Sequence, residues 1–163
     1  RDDDPVMVCN HKKLINLTGF VPDEEYTIEL GKGRITRDGT DVTLVGMSWT
    51  TEVCNNAADQ LKDDGISAEV VDLLSLSPLD ENIFLESVAK TNKVIIVDED
   101  SPRASMASEV SAVIADKAFD LLDAPIKRVT GPHTPVPYSR DLENIFLPDE
   151  ADVIATTKTL LGE

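Results

Sequence analysis

Three groupings of residues in this 163-residue chain have the types and spacing for chemistry. Asp98, Glu99 and Asp100 directly follow the apolar run at residues 93–97, KVIIV. Open parallel α/β sheets hold their ligands just beyond such strand ends. Clustered acids there could bind Mg²⁺ or accept a phosphoryl group, as in a receiver-type module. They could equally form a solvated turn whose charge favours the positive end of the following helix. His133 stands among Pro132, Pro135 and Pro137 in the stretch 126–148, IKRVTGPHTPVPYSRDLENIFLP. An imidazole in a rigid loop could move a proton near neutral pH, whereas a loop whose shape proline fixes also suits a docking surface. The third grouping is Cys54 with His11 or His133 as nucleophile and base. Cys54 lies beside Val53 and Ala57 on an apolar helical face, so a core thiol is the simpler account. His133 remains the one candidate for direct catalysis, with no cofactor-binding or metal residue assigned.

The common self-sufficient motifs are missing. Gly46 is followed by Met-Ser-Trp, so no GxGxxG opens a helix there, and the chain has no P-loop, no nucleophile-elbow serine and no HExxH. On its own the chain is expected to catalyse nothing.

The elements that must position these residues alternate regularly. Residues 5–9, PVMVC, read as a strand, and 16–30 as a polar linker. Residues 41–46, 66–73, 93–97 and 126–130 have the apolar density of buried strands. Between them, 51–64 places Val53, Ala57, Ala58 and Leu61 on one helical face, with Gly65 as its C′ residue. Ser77-Pro78-Leu79-Asp80 has the form of a helix start, with Ser77 as cap, Pro78 at N1 and Asp80 at N3, ahead of Ile83, Phe84 and Val88. Residues 105–122 read as the longest helix, burying Met106, Val110, Val113, Ile114 and Leu121 and leaving Asp116 and Asp120 outside. Asp149 caps a terminal helix whose apolar face is Val153, Ile154, Leu160 and Leu161. The alternation predicts an α/β fold: a three-layer domain with a mostly parallel sheet and helices on both faces.

Composition narrows the partners. The net charge is −16, with eight acids against six bases up to residue 40 and twenty-three against nine after it. Such a surface repels nucleic acid and anionic membrane and suits either solubility, high salt or a basic protein partner. Two cysteines make no disulfide framework, and no apolar run reaches the roughly 20 residues of a membrane span. A cytoplasmic setting is the default. Arg1 in place of a methionine, with the apolar run Val6–Val8 within a few residues, points to the back end of a longer protein.

Several segments together resemble one family: RDDDPVMVCNHKKL, PDEEYTIELGKGRITRDGTDVTLVG, VVDLLSLSPLDENIFLESVAKTNKVIIVDED, PRASMASEV, GPHTPVPYS and LPDEADVIATTKTLL. In order and spacing they are similar to the C-terminal part of the β subunit of the E1 component of 2-oxo acid dehydrogenase complexes. These are transketolase-like, thiamin-diphosphate-dependent enzymes, and the look is nearest to the acetoin or pyruvate type. Acetoin-type relatives often carry an acid before the His-Lys pair where this chain has Asn10, which leaves no family role for Asn10 or His11 beyond a strand edge.

The resemblance implies a transketolase C-terminal-domain-like fold over residues 31–163, a linker at 16–30 and a remnant of the preceding pyrimidine-binding domain at 1–15. It implies thiamin diphosphate and Mg²⁺ in the full complex, bound outside this chain by an α-subunit Gly-Asp-Gly…Asn motif and an earlier β-subunit glutamate. The cofactor's carbanion would attack the substrate carbonyl, and the acyl group would pass to a lipoyl arm on E2. The implied partners are the E1 α subunit, a second β subunit in an α2β2 heterotetramer, and the basic subunit-binding domain of E2. The family's E2-docking region falls near Asp120 and Asp123. From another class, a free-standing acidic receiver-like module built on Asp98, Glu99 and Asp100 remains the alternative.

Overall fold

In the computed structural model, which describes residues 3–162, the core is a five-stranded sheet in the order β1-β3-β2-β4-β5. Its strands are β1 (Arg34–Arg37), β2 (Val42–Gly46), β3 (Ala68–Asp72), β4 (Val94–Asp98) and β5 (Lys127–Thr130). Strands β3, β2, β4 and β5 run parallel, and β1 adds an antiparallel edge to β3. The helices are α1 (Trp49–Asp63), α2 (Glu81–Thr91), α3 (Met106–Lys117), α4 (Arg140–Phe146) and α5 (Glu150–Leu161).

Side chains alternate across the pleat, and that divides the core in two. Val42, Leu44, Val70, Ile95, Val97 and Val129 face α1 and α5, where Val53, Cys54, Leu61 and Val153 meet them. Val45, Val71, Val94 and Ile96 face α2 and α3, against Phe84, Val88, Val110 and Ile114. The predicted three layers are therefore present. With both faces covered, the central strands are buried along their whole length, which is why they read as continuous apolar runs.

The local chemistry follows the sequence in several places. Gly65 takes a φ of 84° just past α1, with its N–H on the Lys62 carbonyl at 3.0 Å. Asp149 caps α5, accepting from Asp152 N–H at 3.0 Å, and Asp152 returns the bond to Asp149 N–H at 3.3 Å. Gly46 is required at the end of β2, because a Cβ there would sit 2.7 Å from the Thr51 backbone.

Three expectations are corrected, and two further elements are found. Residues 5–9 form no strand: they are exposed, and no described strand pairs with them. Strand β1 goes unrecognised in the sequence because Arg-Ile-Thr-Arg lacks an apolar run. Its hold on the sheet comes from Arg34, whose Nε and Nη2 lie 3.1 and 3.0 Å from Oδ2 of buried Asp72. Helix α2 begins at Glu81, later than predicted. Ser77-Pro78 lies in a turn with a cis peptide bond, closed by a bridge between Leu76 and Leu79, and Asp80 accepts from Gly33 N–H instead of sitting inside the helix. Helix α3 ends at Lys117, and a short 3₁₀ turn (Phe119–Leu121) leaves Leu121 exposed rather than in the buried stripe. The short helix α4 also lay hidden within the proline-rich stretch.

Buried Glu69 of β3 accepts from Gly39 N–H at 3.3 Å and from Lys90 of α2 through a short contact. The hydrogen bond to Glu69 holds the Lys90 ammonium above its ordinary pKa of 10.5. A raised lysine pKa means the pair's contribution is complete below the ordinary value and is lost as pH rises through the raised one. Lys90→Met should lower the thermal midpoint at neutral pH, and the gap to wild type should narrow above about pH 10.5. A gap that stays constant from neutral pH to about pH 11 would contradict this assignment.

Candidate functional site

Strand β2 leads through α1 to β3 on one side, whereas β4 leads through α3 to β5 on the other. The two connections also cover opposite faces, since α1 packs on one core cluster and α3 on the other. The strand order thus reverses between β2 and β4, and the crevice beyond their carboxyl ends is where folds of this kind place a ligand. Trp49, the first residue of α1, forms one wall, and Glu99, the residue after β4, forms the other.

The three predicted acids reach this edge but do not converge. Asp98 is buried, and its two oxygens accept from Asp100 N–H at 3.1 Å and from Ala107 N–H at 3.0 Å. It therefore ties the end of β4 to the first turn of α3, with the favourable sign for the helix dipole. Asp100 accepts from Ser101 N–H at 2.6 Å. Glu99 turns away to His11, whose Nε2 lies 3.1 and 3.0 Å from its two carboxylate oxygens. Among the described residues no three His, Cys, Asp or Glu side chains gather to hold a metal ion. The donor set fits neither an acidic phosphoryl-acceptor pocket nor a Mg²⁺–diphosphate cradle, and the receiver-like reading has no geometry to support it.

His11 was expected at a strand edge. It sits instead in the crevice, stacked on Trp49 at 6.3 Å between ring centroids and 16° between planes. Its Nδ1 accepts from Lys13 N–H at 3.2 Å, so Nε2 carries the proton that Glu99 receives. Lys13 Nζ lies 5.1 Å from the Trp49 ring centroid, within cation–π range. Both ring nitrogens are engaged, and the geometry gives this imidazole no open position for a substrate proton. Sequence reasoning missed Trp49 and Glu99 as partners of His11. The available signal was the chain's sole tryptophan, three residues past the end of a buried strand.

His133 is exposed, and its Nδ1 lies 2.9 Å from Ser101 Oγ. The same loop is held by Arg128 Nη1, which donates to the Pro102 carbonyl at 2.8 Å and to Ser108 Oγ at 2.9 Å. Gly131, at the exit of β5, lies where a Cβ would come 2.9 Å from the Glu99 carbonyl and 2.9 Å from Phe146 of α4. Loop 99–105 is thus gripped from two directions, and the chain's two histidines contact it two residues apart. Asp120 and Asp123 lie well away, exposed around the Phe119–Leu121 turn, with Phe119 70% exposed and Leu121 41% exposed beside them. Asn92 fixes that turn through its Nδ2, 2.7 Å from the Leu121 carbonyl.

Cys54 is fully buried in the α1 core, and neither histidine approaches it. Burial, reinforced by the nearby Asp72 charge, pushes its thiol pKa far up. It is a packing residue, not a nucleophile.

This is a doubly wound α/β domain whose strand-end edge is met by its own chain, through His11 on Glu99 and Trp49. It belongs to the family described as the transketolase C-terminal domain, whose model matches residues 31–153. Over 162 residues it is 51% identical to the β subunit of acetoin:2,6-dichlorophenolindophenol oxidoreductase from Bacillus subtilis (strain 168), covering 99% of this chain and 47% of that protein. It is 44% identical over 162 residues to the pyruvate dehydrogenase E1 component subunit beta of the same organism, covering 99% of this chain and 50% of that one. A solved split-gene transketolase, described as an inactive beta4 tetramer, superposes with a TM-score of 0.73 at 29% identity, over 88% of this chain and 45% of that chain. The chain spans about half the length of the curated relatives it matches.

Alkylation of the native chain with iodoacetamide should label exposed Cys9 and leave Cys54 unmodified until denaturant is added. Rapid labelling of Cys54 in the folded state would overturn its assignment to the core.

Proposed function

We infer that this chain is the C-terminal half of the β subunit of a dehydrogenase-complex E1 enzyme, of acetoin or pyruvate type, working in the cytoplasm. The observation that carries the reading is the 51% identity to an acetoin oxidoreductase β subunit across nearly every residue of this chain. In this reading residues 1–15 close a preceding pyrimidine-binding domain, 16–30 form the linker and 31–163 the assembly domain. Thiamin diphosphate and Mg²⁺ belong to the whole enzyme, where the cofactor supplies a nucleophilic carbon and an electron sink. The present residues supply no step of that chemistry. Their part is to hold the α subunit and a second β subunit in an α2β2 assembly.

Exposed apolar side chains support an assembly role. Phe20, 92% exposed, with Tyr26 and Ile28 on the arm, and Tyr138 just before α4 with Leu142 and Ile145 along it, are large surfaces left facing water. Asp120 and Asp123, flanked by Phe119 and Leu121, offer a mixed acidic and apolar patch to the basic subunit-binding domain of E2.

The full-length β chain with its α subunit, supplied with thiamin diphosphate and Mg²⁺, should reduce 2,6-dichlorophenolindophenol with acetoin and more slowly with pyruvate. Turnover of neither substrate would refute the assignment. Replacing Asp120 and Asp123 together by Asn should weaken E2-domain binding about tenfold at low salt and flatten its salt dependence. Calorimetric affinity unchanged at low ionic strength would remove the patch from the docking site.

A further inference from the structure

The four parallel strands end on one edge of the sheet, and the exits from three of them share a backbone feature. Ser48 after β2, Leu74 after β3 and Ala104 in the loop after β4 have φ of 56°, 51° and 55°. A residue with a Cβ resists that region and stays there only where the surrounding structure dictates it. Among the described residues the other non-glycine case is Asn92, which ends α2 at the opposite end of the sheet, a role asparagine commonly takes. Next to Ser48, the Trp49 ring stacks on His11, whose imidazole also bonds Glu99. On the β3 side, Asp72 Oδ1 accepts from both Thr51 Oγ1 of α1 and Leu74 N–H, so Leu74 lies beside the start of α1. There the edge leaves two leucine side chains in water, Leu74 and Leu76. Nothing within the described residues offsets the backbone cost of Leu74 or the exposure of its side chain.

We propose, on the functional reading above, that this edge is the seat of the preceding domain of the β subunit. The seat runs from Leu74 and Leu76 past Trp49 to Glu99, and His11 sets its register. Continuity identifies the occupant. His11, which that reading gives to the preceding domain, already stands on Glu99 and Trp49, and this chain spans about half the length of its curated relatives. A domain whose last residues are held there has its surface within reach of Leu74 and Leu76, and covering them removes apolar area from water. The imidazole contact is directional, with Nε2 on a carboxylate and the ring face on an indole. It therefore fixes both the position and the tilt at which the domain sits.

The test compares this chain with the full-length β chain, both without α subunit, by iodoacetamide labelling of Leu76→Cys. Labelling is read on the peptide that carries residue 76, which keeps Cys9 and Cys54 apart from it. Leu76→Cys should label about ten times more slowly in the full-length chain than in this one. Phe119→Cys, on the exposed turn away from this edge, should label equally in both. Adding His11→Ala to the full-length chain should restore most of the lost reactivity. Equal labelling of Leu76→Cys in the two chains would overturn the proposal. So would protection that appears only when the α subunit is added, which would give the edge to that subunit. Protection untouched by His11→Ala would overturn the register role of His11. Acetoin turnover by the full-length enzyme with its α subunit is measured alongside. Turnover with Leu76→Cys equally open in both chains would remove the seat and leave the functional reading standing, whereas protection without turnover would uphold the seat and count against that reading.

Discussion

The Asp98 carboxylate is the interaction on which the functional edge of this domain depends. A buried carboxylate is costly unless its oxygens are satisfied, and here each accepts a backbone N–H, one from Asp100 and one from Ala107 at the first turn of α3. Those two bonds fix both ends of loop 99–105. With the loop fixed, Glu99 can meet His11, Ser101 can meet His133, and the Glu99 backbone can pack against Gly131. Two segments far apart in sequence, around His11 and at 131–133, thereby converge on one short loop. Asp72 and Glu69 follow the same rule. Asp72 gathers Arg34 of β1, Thr51 of α1 and the Leu74 amide, and Glu69 gathers Gly39 and Lys90. In so acidic a chain, the buried acids act as fasteners between elements.

The central strands were legible because burial on both faces demands uninterrupted apolar residues, and Val42–Gly46 and Val94–Asp98 carry them. Local signals with one dominant physical meaning also held. Gly65 adopts the left-handed conformation past α1, and Asp149 caps α5. What failed had its cause elsewhere in the chain. The edge strand Arg34–Arg37 is polar and depends on Asp72, 38 residues away, for its anchor. The capping pattern at Ser77 was locally plausible, but Asp80 is drawn to Gly33 across 47 residues and the helix starts after it. Leu121 continued the helical period on paper, whereas the chain leaves the helix after Lys117.

The candidate site was legible only in part. Asp98 as a helix-stabilising acid follows from its place between a strand and a helix. The pairing of His11 with Glu99 spans 88 residues, and no spacing rule could join them. The same contact brings the segment around His11 to the strand-end edge beside Trp49. His133 ends as an exposed side chain bonded to Ser101, and Gly131 at the start of its proline-framed loop packs closely on the Glu99 backbone. Such an edge holds segments of the chain in fixed relation.

The most direct test of the fastening role of Asp98 is ¹⁵N relaxation of the chain with and without Asp98→Ala, read as backbone order parameters. If the loop holds the arm and the proline segment, order should fall together in residues 11–16, 99–105 and 131–134 while β2 and β3 stay rigid. A fall confined to 99–105, with the arm and the proline segment unchanged, would contradict it.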